Sequence, residues 1–235
     1  MYDELIEITG IPQDGTILEI GSGTGQATLP LAKRGYTITC LEPGLKLMQI
    51  AKKKLTKYPK VNFLNTTFEE WPVETYKYDL IISATAFHWV DQKVGYKKAY
   101  LSLKPNGNLA LFWNKHPKPY TGFFEEVQQI YQKIVPEWPD PNDTQSDEDW
   151  IKETQVRIVE SGLFDIIKIK TYYWLRNYSS NDYIKLLSTY SDHIGLEEKK
   201  RKQLFDEIKN FIEDRFNGIV KRPYLTVLFV ALKIS

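Results

Sequence analysis

The sequence predicts an α/β fold in which a mostly parallel sheet is covered by helices on both faces. Three observations predict it. Apolar, β-branched runs recur at residues 16–20, 36–42, 61–64, 78–84 and 108–114. Segments with helical spacing alternate with most of them, and that alternation argues for parallel strands with both faces buried. The chain has 235 residues, 42% of them apolar, enough for one large domain or a domain with a substantial insertion.

The elements follow in order. Leu5, Ile6 and Ile8 close a short helix, and "PQDG" turns the chain. "TILEI", Thr16 to Ile20, reads as a buried strand. Three glycines follow at alternate positions, then "ATLPLAKRG" reads as a helix that Gly35 caps. Pro30 must lie near its first turn, because deeper inside it would lose a bond and clash. "YTITCLE" is a second strand. Leu45, Leu47, Met48, Ala51 and Leu55 form a helical stripe. "VNFL" and "YDLIISA" are the third and fourth strands. "VGYKKAYLSL" is a helix stopped by "KPNG", and "NLALFWN" is a fifth strand.

Beyond Asn114 the alternation breaks. "FFEEVQQIYQKIV" predicts one helix and "PEWPDPNDTQ" an irregular stretch. "SDEDWIKETQVRIVESG" predicts another helix, with Ser146 and Asp149 placed as a capping box. "FDIIKIKTYYWLRNY" alternates as a long strand. Helices are expected around Asp182–Leu187 and Glu197–Phe216, and "YLTVLFVALKI" closes as a strand.

Composition narrows the function. Lys plus Arg is 31 against 30 Asp plus Glu, which gives no general attraction to nucleic acid or to an anionic membrane. Cys40 is the one cysteine, so no internal disulfide framework exists. No signal peptide or membrane span is read, and a cytoplasmic protein is expected. No His, Cys and Asp set has metal-ligand spacing, so no metal is expected.

The stretch "ILEIGSGTG" carries the chemistry. A strand that ends in Gly-x-Gly-x-Gly and opens a helix lets a ligand touch the backbone. Dinucleotides and S-adenosylmethionine both use such turns. The dinucleotide fingerprint is G-x-G-x-x-G/A. Gly21 and Gly23 fit it, but Gln26 stands at the sixth position and the glycine comes early, at Gly25. Glu19 would repel a pyrophosphate and suit the ammonium of a methionine moiety. Glu42 ends the second strand about 20 residues after Gly21, where a carboxylate can accept from both ribose hydroxyls of either cofactor. A glycine turn can also be only a turn, and Glu42 a surface acid.

With "LEPG", "YDLIISATAFHWVD" and "LKPNGNLALFWN", this motif resembles the class I S-adenosylmethionine-dependent methyltransferases. Within them the chain resembles the type 11 group, which includes relatives of trans-aconitate methyltransferase. The resemblance covers about residues 11–114. It implies a Rossmann-like, seven-stranded sheet whose last strand is antiparallel, with a helical lid inserted. It implies that Glu19, Gly21, Ser22, Gly23 and Gly25 hold the methionine part and Glu42 the ribose. Thr66 or Thr67 stands where an acid usually meets the adenine edge. Phe68 either covers the ring or is an ordinary core residue. Ser83, Ala84 and Thr85 are small enough to let the transferable methyl approach. His88 and Trp89 sit at the pocket mouth, and His88 is the catalytic candidate: a general base, a hydrogen-bonding residue, or a residue with no chemistry.

The expected organisation is a cofactor-binding core over 1–114, a lid over 115–217 that contributes one core strand at about 163–175, and a closing strand over 218–235. Tyr120, Trp138, Trp150, Trp174, Tyr178, Tyr183 and Tyr190 suggest a partly apolar acceptor pocket, or simply pack the lid. The expected activity is methyl transfer to a small-molecule acceptor by a monomer or homodimer, with no nucleic-acid or membrane partner. The alternatives are a dinucleotide oxidoreductase and a cofactor-binding protein without catalysis. Relatives of this kind commonly carry a longer N-terminal segment. A chain that starts late is therefore one expectation, with weak cofactor affinity as its consequence.

Overall fold

The computed structural model describes residues 1–234. The first half alternates as its sequence pattern requires: α1 Tyr2–Thr9, β1 Thr16–Ile20, α2 Thr28–Ala32, β2 Thr37–Leu41, α3 Leu45–Lys54, β3 Val61–Leu64, β4 Tyr78–Ala84, a single 3-10 turn at Phe87–Trp89, α4 Gln92–Ser102 and β5 Leu103–Lys115. The second half holds α5 Phe123–Glu126, α6 Gln128–Ile134, a 3-10 turn at Pro141–Asp143, α7 Asp147–Glu160, β6 Phe164–Ser179, α8 Ser180–Leu187, α9 Ser191–Ile194, α10 Glu198–Phe216 and β7 Ile219–Lys233.

All seven strands form one sheet, ordered β3-β2-β1-β4-β5-β7-β6. The pairs β1–β2, β1–β4, β2–β3 and β4–β5 are parallel. Strand β7 runs antiparallel to β5: Thr226 donates to Asn114 at 2.6 Å near one end, and Lys233 donates to the Leu103 carbonyl at 2.8 Å near the other. It is also antiparallel to β6, since Ile234 bonds Leu163 at 3.1 Å and Ser180 bonds Gly218 at 3.0 Å. The strand order doubles back at β1, so the strands diverge there into β2 on one side and β4 on the other. That switch point is where open α/β sheets bind ligands.

The chain divides into two compact units. One comprises residues 1–114, 151–172 and 226–235; the other comprises 115–150 and 173–225. Most of α7 and the first part of β6 belong with the sheet, and β7 enters it at Thr226. Nothing in the alternation of a long strand marks where it passes from one unit to the next.

In the sheet unit, Leu5, Ile17, Ile38, Leu80 and Ile82 are fully buried in one core. Helix α1 joins it through Leu5, and the Tyr2 ring meets Phe112 edge-on at 6.1 Å. Gly10 ends α1 in the left-handed conformation, its amide bonding the Ile6 carbonyl. "KPNG" does not follow α4 as a free stop. Strand β5 starts directly at Leu103, and the segment bulges out between the pairs Tyr78–Leu103 and Leu80–Asn108.

In the helical unit, Leu204, Ile208 and Ile212 make a buried stripe along α10, spaced four apart, in one core with Phe123, Phe124 and Leu187. The single helix expected over "FFEEVQQIYQKIV" is two, α5 and α6, which meet at Val127. The short α9 was not read from the sequence. Its four residues are too few for a periodic signal.

Beneath the glycine turn, the Glu19 carboxyl is fully buried. One oxygen accepts from the Thr28 hydroxyl at 2.6 Å and lies 3.8 Å from the Cys40 sulfur. The other has no partner. Burial pushes the pKa from 4.5 up to about 7; the Thr28 and Cys40 contacts oppose the rise and the negative charge of Glu42 adds to it. A carboxyl whose folded pKa is raised favours the folded state only while it stays protonated. Stability should therefore fall as pH rises from about 4.5 to about 7, by on the order of 3 kcal/mol. Denaturant melts of the wild type and Glu19→Gln should converge at low pH and separate above neutrality, with the variant more stable. Parallel curves across that window would refute the shift.

Candidate functional site

The turn after β1 is built by backbone bonds. The amides of Gly21 and Ser22 both donate to the Leu41 carbonyl, at 2.9 and 3.1 Å, which ties the turn to the end of β2. Gly21 has φ +69°, and a Cβ there would stand 2.5 Å from the Ala86 methyl. At Gly25, φ is +73° and a Cβ would stand 2.7 Å from Leu55. These two glycines are required by close packing as well as by conformation. Gly23 faces open space.

Glu42 holds the next layer. One carboxylate oxygen accepts from the Gly23 amide at 2.7 Å, the other from the Gly44 amide at 2.8 Å. The carboxylate thus clamps the glycine turn to the start of α3. It can accept about four hydrogen bonds, so two positions remain for a ligand.

Glu42 also lines a cavity of about 360 Å³ at the carboxyl ends of the first four strands. The β1 end contributes Ile20 and Gly21, and the β2 end Leu41 and Glu42. Thr66, Thr67 and Phe68 come from the segment after β3, and Thr85, Ala86 and Trp89 from the segment after β4. The Thr67 hydroxyl accepts from the Glu70 amide at 3.1 Å, and the Thr66 hydroxyl donates to the Thr67 carbonyl at 3.2 Å. Phe68 is buried and stacks on Trp71 at 6.0 Å. Thr85 has φ +55°, a strained conformation for a β-branched residue. Trp89 is 74% exposed, a large aromatic face left at the cavity.

The walls are apolar apart from the threonines and the carboxylates of Glu42 and Glu69. No lysine or arginine lines the cavity. A pyrophosphate would meet two carboxylates and no cation, whereas an adenosine bearing a sulfonium and an ammonium group would meet suitable charge. Apolar walls suit the adenine ring, and the free lone pairs of Glu42 suit ribose hydroxyls. The residues present therefore fit S-adenosylmethionine, and the volume lies in the usual range for small-molecule sites.

The structure thus gathers Gly21, Glu42, Thr67, Phe68 and Thr85 around one cavity. Glu19, Ser22, Gly23, Gly25, Ser83 and His88 are not among its walls. Ser83 is buried and its hydroxyl donates to the Ile20 carbonyl at 3.0 Å, cross-linking β4 to β1. The Ser22 hydroxyl is buried without a partner. His88 is exposed, and its Nδ1 accepts from the Trp113 indole at 3.2 Å. The proton of the neutral ring is therefore on Nε2. Partial desolvation lowers the His88 pKa. Sequence reasoning missed Leu47, Glu69 and Val90, all wall residues. By sequence Leu47 belongs to the apolar stripe of α3, and the structure leaves it 43% exposed there.

Among the described residues, no group of His, Cys, Asp or Glu could hold a metal ion, and no helix is long and apolar enough to cross a membrane.

Comparisons with known proteins agree with this geometry. Residues 17–107 match a family described as a methyltransferase domain. An uncharacterised methyltransferase of Mycobacterium tuberculosis is 30% identical over 114 residues, 48% of this chain and 45% of that protein. A malonyl-[acyl-carrier protein] O-methyltransferase of Priestia megaterium is 36% identical over 124 residues, 51% of this chain and 42% of that protein. The chain thus spans about half the length of the curated relatives it matches. Among solved structures, geranyl diphosphate C-methyltransferase of Streptomyces coelicolor, in complex with S-adenosyl-L-homocysteine, shares the fold with a TM-score of 0.54 at 12% identity, covering 99% of this chain and 79% of that one. The chain is thus similar to methyltransferases over residues 17–107 and shares their fold.

Proposed function

We propose that the protein transfers a methyl group from S-adenosylmethionine to a small-molecule acceptor. The observation that carries this reading is the cavity at the strand ends, apolar, free of cations and bordered by a half-engaged Glu42 carboxylate. When bound, the cofactor supplies a sulfonium-activated methyl group open to attack by a nucleophilic atom of the acceptor. The protein binds, aligns and excludes water, and such orientation can contribute roughly 7–11 kcal/mol to lowering the barrier.

In this reading Glu42 takes the ribose hydroxyls, Thr67 and Phe68 meet the adenine, and Gly21 and Thr85 border the reacting end. Glu19, Ser22, Gly23, Gly25 and Ser83 support that surface from behind it. His88 acts as a hydrogen-bonding residue. Its one free lone pair is already engaged by Trp113, and accepting a proton there would break that bond. The lid expected over 115–217 would cover the acceptor.

S-adenosylhomocysteine should stabilise the fold by about 2.7 kcal/mol at 100 times its dissociation constant, while NAD leaves the melting temperature unchanged. Equal shifts from both would refute the cofactor assignment. Glu42→Ala should weaken S-adenosylhomocysteine binding by about 1–3 kcal/mol in calorimetry. Because that change frees both the Gly23 and Gly44 amides, Glu42→Gln serves as the milder variant: it keeps the side chain's length and one acceptor oxygen, removes the charge, and leaves one of the two amides unpaired. Unchanged affinity in both variants would remove Glu42 from the site. His88→Ala should lower turnover by less than about tenfold, since a general base would cost roughly 10²–10⁴-fold. A loss in the larger range, with a pH–rate profile flattened by the mutation, would restore the base role.

A further inference from the structure

The helical unit contains a separate cavity of about 180 Å³. Its walls include the rings of Tyr120, Phe124, Tyr131, Trp138, Tyr183 and Tyr190. An engineered cavity of about 150 Å³ in another protein accepts benzene, so this space suits a ligand with one ring or an apolar body of that size.

Two polar atoms at this cavity are left without partners. The first is Nε of Arg222, buried and unbonded. The guanidinium lies over three rings, 4.9 Å from the centre of Tyr224 and 5.8 Å from those of Phe124 and Tyr190. Its hydrogen-bonding contact is to Tyr183. No carboxylate pairs with it among the described residues. Asp192, the acid in the same wall, is taken by its neighbour, its Oδ1 accepting at 2.7 Å from His193. A guanidinium stays charged at any ordinary pH, and a buried cation without a counter-ion is costly. Cation–π contacts offset part of that cost but satisfy no N–H.

The second unpartnered atom is Nε2 of His116. Its Nδ1 lies 2.9 Å from the Pro117 carbonyl, so Nδ1 carries the proton and Nε2 presents a lone pair. Burial lowers the His116 pKa to about 4, and the ring is neutral near pH 7. The cavity thus offers one fixed cation, one neutral acceptor and aromatic walls.

We propose that this cavity binds a small aromatic carboxylate that also carries a hydroxyl or amino group. The carboxylate takes the free N–H of Arg222, the ring packs among the tyrosines, and the donor meets Nε2 of His116. A single guanidinium, with the Asp192 carboxylate in the same wall, favours a monoanion over a phosphate dianion, and a guanidinium N–H suits a carboxylate oxygen. The inference goes beyond the methyl-transfer reading and does not depend on it, since binding is measured without cofactor.

Calorimetry with 3-hydroxybenzoate, 4-hydroxybenzoate and their neutral amides tests it on the intact chain. At least one carboxylate should bind, and its amide should bind at least about tenfold more weakly. Arg222→Met should lose about as much, Arg222→Lys less, and Glu42→Gln nothing. Circular dichroism verifies that the Arg222 variants fold, and the acid–amide comparison on the wild type stands without them. Equal binding of acid and amide, tighter binding of phenyl phosphate, or no binding by either acid would overturn the proposal. Failure of S-adenosylhomocysteine binding would overturn the methyltransferase reading and leave this one standing.

Discussion

The sheet unit's cavity depends on one carboxylate. Glu42 holds Gly23 with one oxygen and Gly44 with the other, so two loops from different βα units meet at a single side chain. Without it, the glycine turn would keep its bonds to the Leu41 carbonyl, those within itself and into α2, and a long one from Lys54 to the Gly25 carbonyl at 3.4 Å. A fixed acceptor with lone pairs to spare costs nothing to reorganise when a ligand arrives. The same group that ties the two loops together keeps lone pairs free at the cavity.

Strain and burial lie close to that clamp. Thr85 sits at positive φ beside Ala86, whose methyl leaves no room for a side chain at Gly21. Glu19 is a desolvated carboxyl with one oxygen unpaired, and Ser22 a buried hydroxyl with none. Native proteins keep such features where the surroundings over-determine them, and they concentrate at functional sites. They surround the turn after β1 and the loop after β4, the two places that border the strand-order switch.

The sheet unit was legible because its signals are local. A five-residue apolar run, a glycine at φ +69°, and an acid at a strand end each leave a mark within a few residues. The cavity wall was legible only in part. Glu69 and Val90 are ordinary residues by sequence, and only the packing of distant segments brings them to Glu42. His88 carried three readings by residue type, a base among them, and the Trp113 indole that bonds its Nδ1 lies 25 residues away. The helical unit was the least legible. Arg222 gives no sequence signal for burial among tyrosines that precede it by up to about 100 residues, and the break at Val127 interrupts no apolar pattern.

The strand order has a consequence for synthesis. Strand β7 lies between β5 and β6, yet it follows both in the chain. A ribosome delivers β6 well before the strand that will join it to the sheet. Until then β5 presents one bare edge and β6 two, with Tyr173, Trp174 and Leu175 exposed on β6 even in the finished fold. Unpaired edges of this kind template association between nascent chains. Slow elongation through residues 180–218 would prolong that exposure.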